Sequence, residues 1–438
     1  MINEAHNMVH LHRRQQLMAS IGPTGAIVLV AYPERPRSKN INYRFVQDKD
    51  FFYLTGFEEP DAVALLRPEH PLPFILFSRP KDPYQETSYG ARAGIEGCIN
   101  QYGADAAYSL DELAQRLPEL LEERTDILVS DELDQYSDSL WKWCNQQRRN
   151  ARFDEVKHCR SLRPLAGVLH PMRVIKDGHE IQKLRTAINA SCSAHRQVIA
   201  HLRPGINEAE LSAQFNLELA RHGCVSDPYP NIVAGGERAM CLHYDHNNHR
   251  LEAGSLLLID AGGEFGHYSA DITRTYPVSG HFSDAQRTLY QLVLSAIDAA
   301  IAQARPGATW NTLYDTAMTV LTRGLIELGI LSGSEEHALT QETHKAYTVH
   351  KTGHWLGLDV HDVGPYRDPQ GQWRQLEPGM VLTIEPGLYF SSQDLSVEAK
   401  WRGIAIRIED DILITATGCE VLSANAPRTI DEIETLMA

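Results

Sequence analysis

Hydrophobic and polar positions alternate in two different ways along this chain. Between about residues 10 and 150, short apolar runs of strand length interleave with stretches of helical spacing. Gly25–Tyr32, Phe51–Thr55, Ala62–Arg67, Phe74–Ser78 and Asp126–Ser130 read as strands. Ser109–Glu123 and Asp131–Gln147 carry Leu and Trp at helical spacing, each opening on a Ser or Asp suited to capping. Such alternation predicts an α/β domain over residues 1–172, with the polar, Arg-rich stretch Asn145–Arg163 as its exit linker.

From Ile175 onward the order changes. Two long helical segments come first, Gly178–Leu202 and Glu208–His222, separated by Arg203-Pro204-Gly205. Strand-like pieces follow at Asn231–Ala234, Ser255–Ala261 and Tyr268–Val278. Helical stretches over Ser283–Ala304 and Trp310–Leu328 precede a second strand group: Val381–Glu385, Ala405–Glu409 and Ile412–Thr415. Helices, strands, helices, strands predict one α+β domain over 173–438 with an internal duplication, although no sequence repeat is evident.

Composition then excludes several classes. A chain of 438 residues is long enough for two sizeable domains. Its 57 acidic against 41 basic residues give a net charge of -16, which speaks against a nucleic-acid partner. The longest apolar runs fall far short of a membrane span, and Met1–Gln16 has no apolar core of a secretory signal. Seven scattered cysteines without a C-x-x-C fit a reducing, cytoplasmic setting.

Candidate chemistry concentrates in a few segments. Strand-like residues ending at Asp260 are followed by a Gly-containing turn and by Asp271-Ile-Thr-Arg274-Thr. With the turn centred on Phe265-Gly266, the two aspartates face one another, about 4.5–5.5 Å apart at Cβ. Opposed like charges need a shared proton, an arginine or a cation; the plainer alternative is one solvated aspartate and one salt bridge to Arg274. Glu385 closes a second apolar strand, where an unpaired charge is costly. Arg407 and Glu409, two apart, share a strand face while Asp410 points away, so they are either part of a site or a structural ion pair. His350, His354 and His361 crowd one Gly-containing stretch. Each alone would suit a hydrogen-bonded core position, but beside four stranded carboxylates they read as ligands. His243, His246 and His249 have a tempting spacing on a polar turn that offers no shape for one metal. No H-E-x-x-H, Walker, Rossmann or G-x-S-x-G motif occurs.

Taken together, strand-Asp260, Asp271-Ile-Thr-Arg-Thr, Gly353-His354, Thr383-Ile-Glu385-Pro-Gly and Arg407-Ile-Glu409-Asp resemble the metallopeptidases of the pita-bread fold. His354-Trp-Leu-Gly-Leu-Asp-Val-His361-Asp-Val-Gly and Leu376-Glu-Pro-Gly-Met-Val-Leu-Thr-Ile-Glu385 look most like the aminopeptidase P family. Asp50-Phe-Phe-Tyr-Leu-Thr-Gly-Phe-Glu-Glu-Pro is similar to the amino-terminal domain of its bacterial members. The resemblance implies five metal ligands, Asp260, Asp271, His354, Glu385 and Glu409, around two divalent ions bridged by Asp271 and Glu409. An oxygen-rich set with one imidazole suits Mn²⁺.

The same resemblance implies release of the first residue from peptides with proline second, by a hydroxide held between the two metals. It makes Glu385 the group that handles the water proton and His243 and His361 active-site histidines. It assigns His350 and Tyr229 to the proline pocket, and Arg407 to the positioning of the carboxylates. It further implies a homo-oligomer, dimer or tetramer, in which a neighbour's N-terminal domain helps cover the substrate. Ser88 and Asn40 depart from the Trp and Asp of bacterial members in that covering region, and Ala405 replaces a frequent Gly. The rival readings are an Xaa-Pro dipeptidase with the same metals, a metal-free relative of the creatinase type, and a binding protein that has lost its ligands. All five ligand-type residues are present here.

Overall fold

The computed structural model describes residues 4–131, 134–150 and 158–438. Two compact units divide the chain, Met1–Met172 and Arg173–Ala438. Among the described residues no helix is long and apolar enough to cross a membrane.

The first unit is built on a six-stranded mixed sheet. From edge to edge its strands are Ala106–Ser109, Phe74–Ser78, Val63–Leu66, Gly25–Val30, Asp126–Val129 and Ser161–Pro164. Gly25–Val30 pairs antiparallel with Val63–Leu66 and parallel with Asp126–Val129. Its six residues are all buried, as expected of a central strand covered on both faces. Phe51–Thr55, expected as a strand, is instead the body of a short helix, Lys49–Thr55. The Asp48 side chain caps its start by accepting the Phe51 N–H, and Gly56 ends it in the left-handed conformation, φ 66°. The expected linker is not one where it is described: Asn145–Asn150 ends a helix, and Ser161–Pro164 is an edge strand. Its residues 151–157, and residues 132–133 near the expected helix start at Asp131, lie outside the described residues. Asn40 sits in the turn between Pro36–Ser38 and Ile41–Asn42, and Ser88 on the helix Pro83–Tyr89; both are exposed.

The second unit repeats one arrangement twice. Helices Gly178–His201 and Glu208–Arg221 precede a three-stranded sheet ordered Thr273–Pro277, Leu256–Asp260, Ile232–Gly235. Helices Asp284–Gln303 and Trp310–Glu327 precede a second, ordered Val381–Ile384, Asp410–Ile414, Cys419–Val421. Three of the four helices open on a capping box in which an Asp, Asn or Ser side chain and the N3 Glu or Gln bond reciprocally. A separate pair, Gly387–Phe390 with Ile404–Arg407, joins the two halves. The segment expected as one strand, Ala405–Glu409, therefore ends at Arg407; the chain then enters the other sheet at Asp410. Between them, the Glu409 N–H bonds the Thr273 carbonyl at 3.0 Å. Thr275 Oγ1 likewise donates to the Arg407 carbonyl at 2.9 Å. This seam brings the carboxylate-bearing ends of both halves together.

The hairpin register differs from the expected one. Glu264 pairs with Ser269 and Phe265 with Tyr268, so the turn is Gly266-His267, both at positive φ (54° and 73°). Such a turn matches the twist of the flanking strands. Moving the turn by one residue moves the pairing by two, and Asp260 lies opposite Thr273 rather than Asp271. Asp271 instead falls in the irregular crossing beside Gly262, where a Cβ would stand 1.9 Å from the Ala270 carbonyl oxygen.

Candidate metal centre and active site

The irregular crossing and the seam put acids from four separate chain segments into one cavity of about 390 Å³. Its walls include Asp260, Asp271, Glu385 and Glu409 together with His243, His350, His354, His361 and Arg407. Every residue expected to act is thus on its wall except Tyr229, which reaches it from behind. The Tyr229 hydroxyl donates to Asp271 Oδ1 at 2.5 Å, which makes it a support for that carboxylate. Asp271, Glu409 and Arg407 form a buried floor, whereas His243 and His361 stand exposed at the rim.

One ligand atom each from Asp271, His354 and Glu409 lie within 4.8 Å of one another. His354 Nε2 is 3.3 Å from Asp271 Oδ2 and 3.8 Å from Glu385 Oε1. Its Nδ1 faces the Trp355 carbonyl at 2.9 Å, so a neutral ring donates there and presents the Nε2 lone pair to the acids. Close packing holds this segment in place: a Cβ on Gly353 would stand 2.2 Å from the Thr383 carbonyl oxygen, and Thr383 Oγ1 accepts the His354 N–H.

The acids cannot all ionise unaided. Burial, reinforced by Asp271, pushes Asp260 up to about 6 against the pull of Arg407. Burial likewise raises Glu385 to about 7. Glu409 is held well above the usual carboxylate range, by burial first and then by Asp271 and Glu385. Asp271 moves the other way: burial works to raise it, but the contacts with His354 outweigh that and lower it. Burial disfavours the charge on His354, yet Asp271 and Glu385 raise that imidazole to about 9. Buried Asp260 Oδ1 also lacks a hydrogen-bond donor. Four carboxylates against one arginine and one imidazole, with an orphaned oxygen among them, fit a divalent metal site and no softer group.

The competing local readings are settled by the ion pairs. Arg274 pairs with neither aspartate of the hairpin; its Nη2 donates to Asp410 Oδ1 at 2.7 Å, both side chains fully buried. Arg407 is not a partner of Glu409. Its Nη2 donates to Asp260 Oδ2 at 2.6 Å, its Nη1 to the Tyr389 hydroxyl at 2.7 Å and its Nε to Thr273 Oγ1 at 3.1 Å. Thr273 Oγ1 in turn donates to Glu409 Oε2 at 2.6 Å. His350 Nε2 meets the same Tyr389 hydroxyl at 2.9 Å, and burial, aided by Arg407, lowers that imidazole to about 4. His361 is also lowered, by burial and by His354, and so is neutral at pH 7. His243, His246 and His249 form no common site, since His246 stacks on Tyr244 and is largely exposed.

Three contributors escaped the sequence reading. Tyr389 and Thr273 carry no charge and matter only through partners far away in sequence. Asp411 accepts the Asp271 N–H at 3.2 Å; it stood in an acidic run where one more aspartate gave no signal. A larger cavity of about 610 Å³ shares Lys351, Gly353 and Tyr366 with this one. Its walls hold no acid or imidazole, so the chemistry resides in the smaller cavity.

Comparison with known proteins places this geometry. Residues 182–416 match the model of metallopeptidase family M24, and residues 10–129 that of the aminopeptidase P N-terminal domain. The Xaa-Pro aminopeptidase of Haemophilus influenzae is 39% identical, over 97% of this chain and 96% of its own. The solved aminopeptidase PepP of Pseudomonas aeruginosa superposes with a TM-score of 0.95 at 40% identity, over 100% of this chain and 99% of its own. Aminopeptidase P from Escherichia coli, solved with the inhibitor Pro-Leu, does so with 0.93 at 38% identity, over 98% of both. With near-complete coverage in sequence and in fold, the chain belongs to metallopeptidase family M24, and it carries the N-terminal domain of aminopeptidase P.

Proposed function

We propose that this protein is an Xaa-Pro aminopeptidase, releasing the first residue of peptides whose second residue is proline. The observation that carries the reading is the convergence of Asp260, Asp271, His354, Glu385 and Glu409 on one cavity, with Arg407 tied to Asp260. These five residues would hold two divalent ions. Mn²⁺ is the ion an oxygen-rich set with one imidazole favours. Bound there, the metals would supply Lewis-acid activation of water and of the scissile carbonyl.

The chain's own side chains do the rest. Arg407, fixed by Tyr389 and Thr273, holds Asp260 at the place where a free α-amine approaches. Glu385 takes the proton of the attacking water. His361 and His243, at the rim, donate to the oxyanion that develops on the carbonyl before proline. His350, braced by Tyr389, presents an imidazole wall to the proline ring, and Tyr229 keeps Asp271 in register. Proline brings no N–H to the scissile bond, so the site reads ring shape in place of an amide donor. Seven free cysteines, five of them buried, support a reducing cytoplasmic setting. The working form is a homo-oligomer, dimer or tetramer, in keeping with the aminopeptidase P family.

Product analysis tests the activity. With a peptide Xaa-Pro-Yaa, mass spectrometry should find free Xaa and Pro-Yaa, and the matched Xaa-Ala-Yaa should stay intact. Cleavage after proline, or equal cleavage of both peptides, would refute it. A second expectation separates rim from floor. His361→Ala and His243→Ala should lower turnover by about 10²–10³, the usual cost of a lost transition-state donor, and leave the metal content unchanged. Metal lost in step with activity would reassign those histidines as ligands.

A further inference from the structure

The His361 ring is exposed at the rim, and among the described residues no side chain hydrogen-bonds it. Its ring meets that of His354 edge to face, with centroids 4.3 Å apart. The position of His361 is therefore inherited from the backbone next to it, and that backbone is anchored by Asp362.

Asp362 closes the segment that begins at His354. Its N–H donates to the Trp355 carbonyl at 2.9 Å, and Gly357 passes so near that a Cβ there would stand 2.1 Å from Asp362 Oδ2. Each carboxylate oxygen is taken by a different cation. Arg173 Nη2 donates to Oδ1 at 2.6 Å and Lys176 Nζ to Oδ2 at 3.0 Å. All three side chains are almost inaccessible, at 3% for Arg173 and 1% for both Lys176 and Asp362. Arg173 Nη2 also reaches Asp359 Oδ2 at 2.8 Å, within the same segment. The strap that carries both cations is itself pinned: the Lys176 N–H donates to the Gly379 carbonyl at 2.8 Å, and Ile175 bridges Met380. Directly beyond runs the strand Val381–Ile384, which leads into Glu385.

Three buried charges are an expensive way to hold a loop that apolar contacts would hold as firmly. What two directed bonds to one carboxylate add is a fixed position and orientation. We propose that the Arg173–Asp362–Lys176 triad is the positioning device of His361, setting its ring relative to the ligand-bearing His354 and Glu385. The proposal rests on the reading of His361 as an oxyanion donor; Asp362 acts through His361 and touches no substrate.

Asp362→Asn keeps the shape and one hydrogen bond but removes the charge, and Lys176→Met removes the other partner. In the metal-loaded full chain, each should lower kcat by about 10- to 100-fold, the range typical of an outer partner of an active-site group. KM and metal content should stay near those of the parent. The deciding readout is a cycle with His361→Ala. If the triad serves His361, the pair His361→Ala, Asp362→Asn is no slower than His361→Ala alone. Should Asp362→Asn fail to fold, as judged by thermal unfolding, Lys176→Met takes its place in the cycle. Unchanged kcat in a folded variant of the triad, with His361→Ala impaired, overturns the positioning role alone; so do penalties that multiply. Full turnover in His361→Ala overturns the donor reading and the proposal with it.

Discussion

Replacing Asp271 or Glu409 by alanine should abolish peptide hydrolysis and metal retention together. Each is read as a shared ligand, so its loss opens both metal positions at once. The fall in turnover should exceed the about 10–100-fold that loss of an outer partner costs. The two residues are also held differently, Asp271 by Tyr229 and the Asp411 carboxylate, Glu409 by Thr273. Alanine at either therefore leaves a different support intact, and a common phenotype would point to the metals and not to local collapse. The check is turnover of an Xaa-Pro-Yaa peptide beside metal analysis after dialysis. Turnover near the parent's in either variant would end the two-metal reading.

Stripping the metal should destabilise the catalytic unit, and more so at pH 8 than at pH 6.5. The sign follows from the floor of the cavity. Without cations, Glu385 at about 7 and Glu409 well above the carboxylate range both bind protons more tightly folded than unfolded. His354 does the same at about 9. Groups with raised folded pKa values contribute stability below the unfolded pKa and lose it as pH rises through the folded one. The depressed histidines, His350 and His361, pull the other way as the unfolded chain loses their protons near pH 6.5, but they do so with and without metal and leave the gap between the two forms unchanged. Metal binding needs deprotonated ligands, so its stabilisation grows over the same window. Thermal unfolding of chelated and Mn²⁺-loaded protein at pH 6.5, 7.2 and 8 reads this directly. The gap between the two midpoints should widen with pH, and a gap that is constant or narrows would contradict the account.

Much of the site was legible because its chemistry conflicts with its surroundings. Asp260, Glu385 and Glu409 end or follow apolar strands, where a carboxylate needs a reason, and the resemblance supplied one. Phe51–Thr55 misled because all five residues of this part of the helix are buried, so the run shows no alternation of apolar and polar positions from which a helical period could be read. The cap at Asp48 was the better signal. The hairpin register escaped because two neighbouring turn positions, Phe265-Gly266 and Gly266-His267, both contain the glycine, and only positive φ at both Gly266 and His267 decides. Tyr389, Thr273 and the Arg173–Asp362–Lys176 triad lay out of reach for another reason. Thr273 meets Glu409 across 136 positions and Arg173 meets Asp362 across 189, and nothing local marks such pairs.

The most direct test of the account compares kcat/KM for matched Xaa-Pro-Yaa and Xaa-Pro substrates on the Mn²⁺-loaded protein. A site that holds the free α-amine beside Asp260 and reads the proline ring gains nothing from a carboxylate immediately after proline. The longer peptide should be the better substrate by a wide margin, with free Xaa as its first product. A preference for the dipeptide would contradict the account and make the protein an Xaa-Pro dipeptidase.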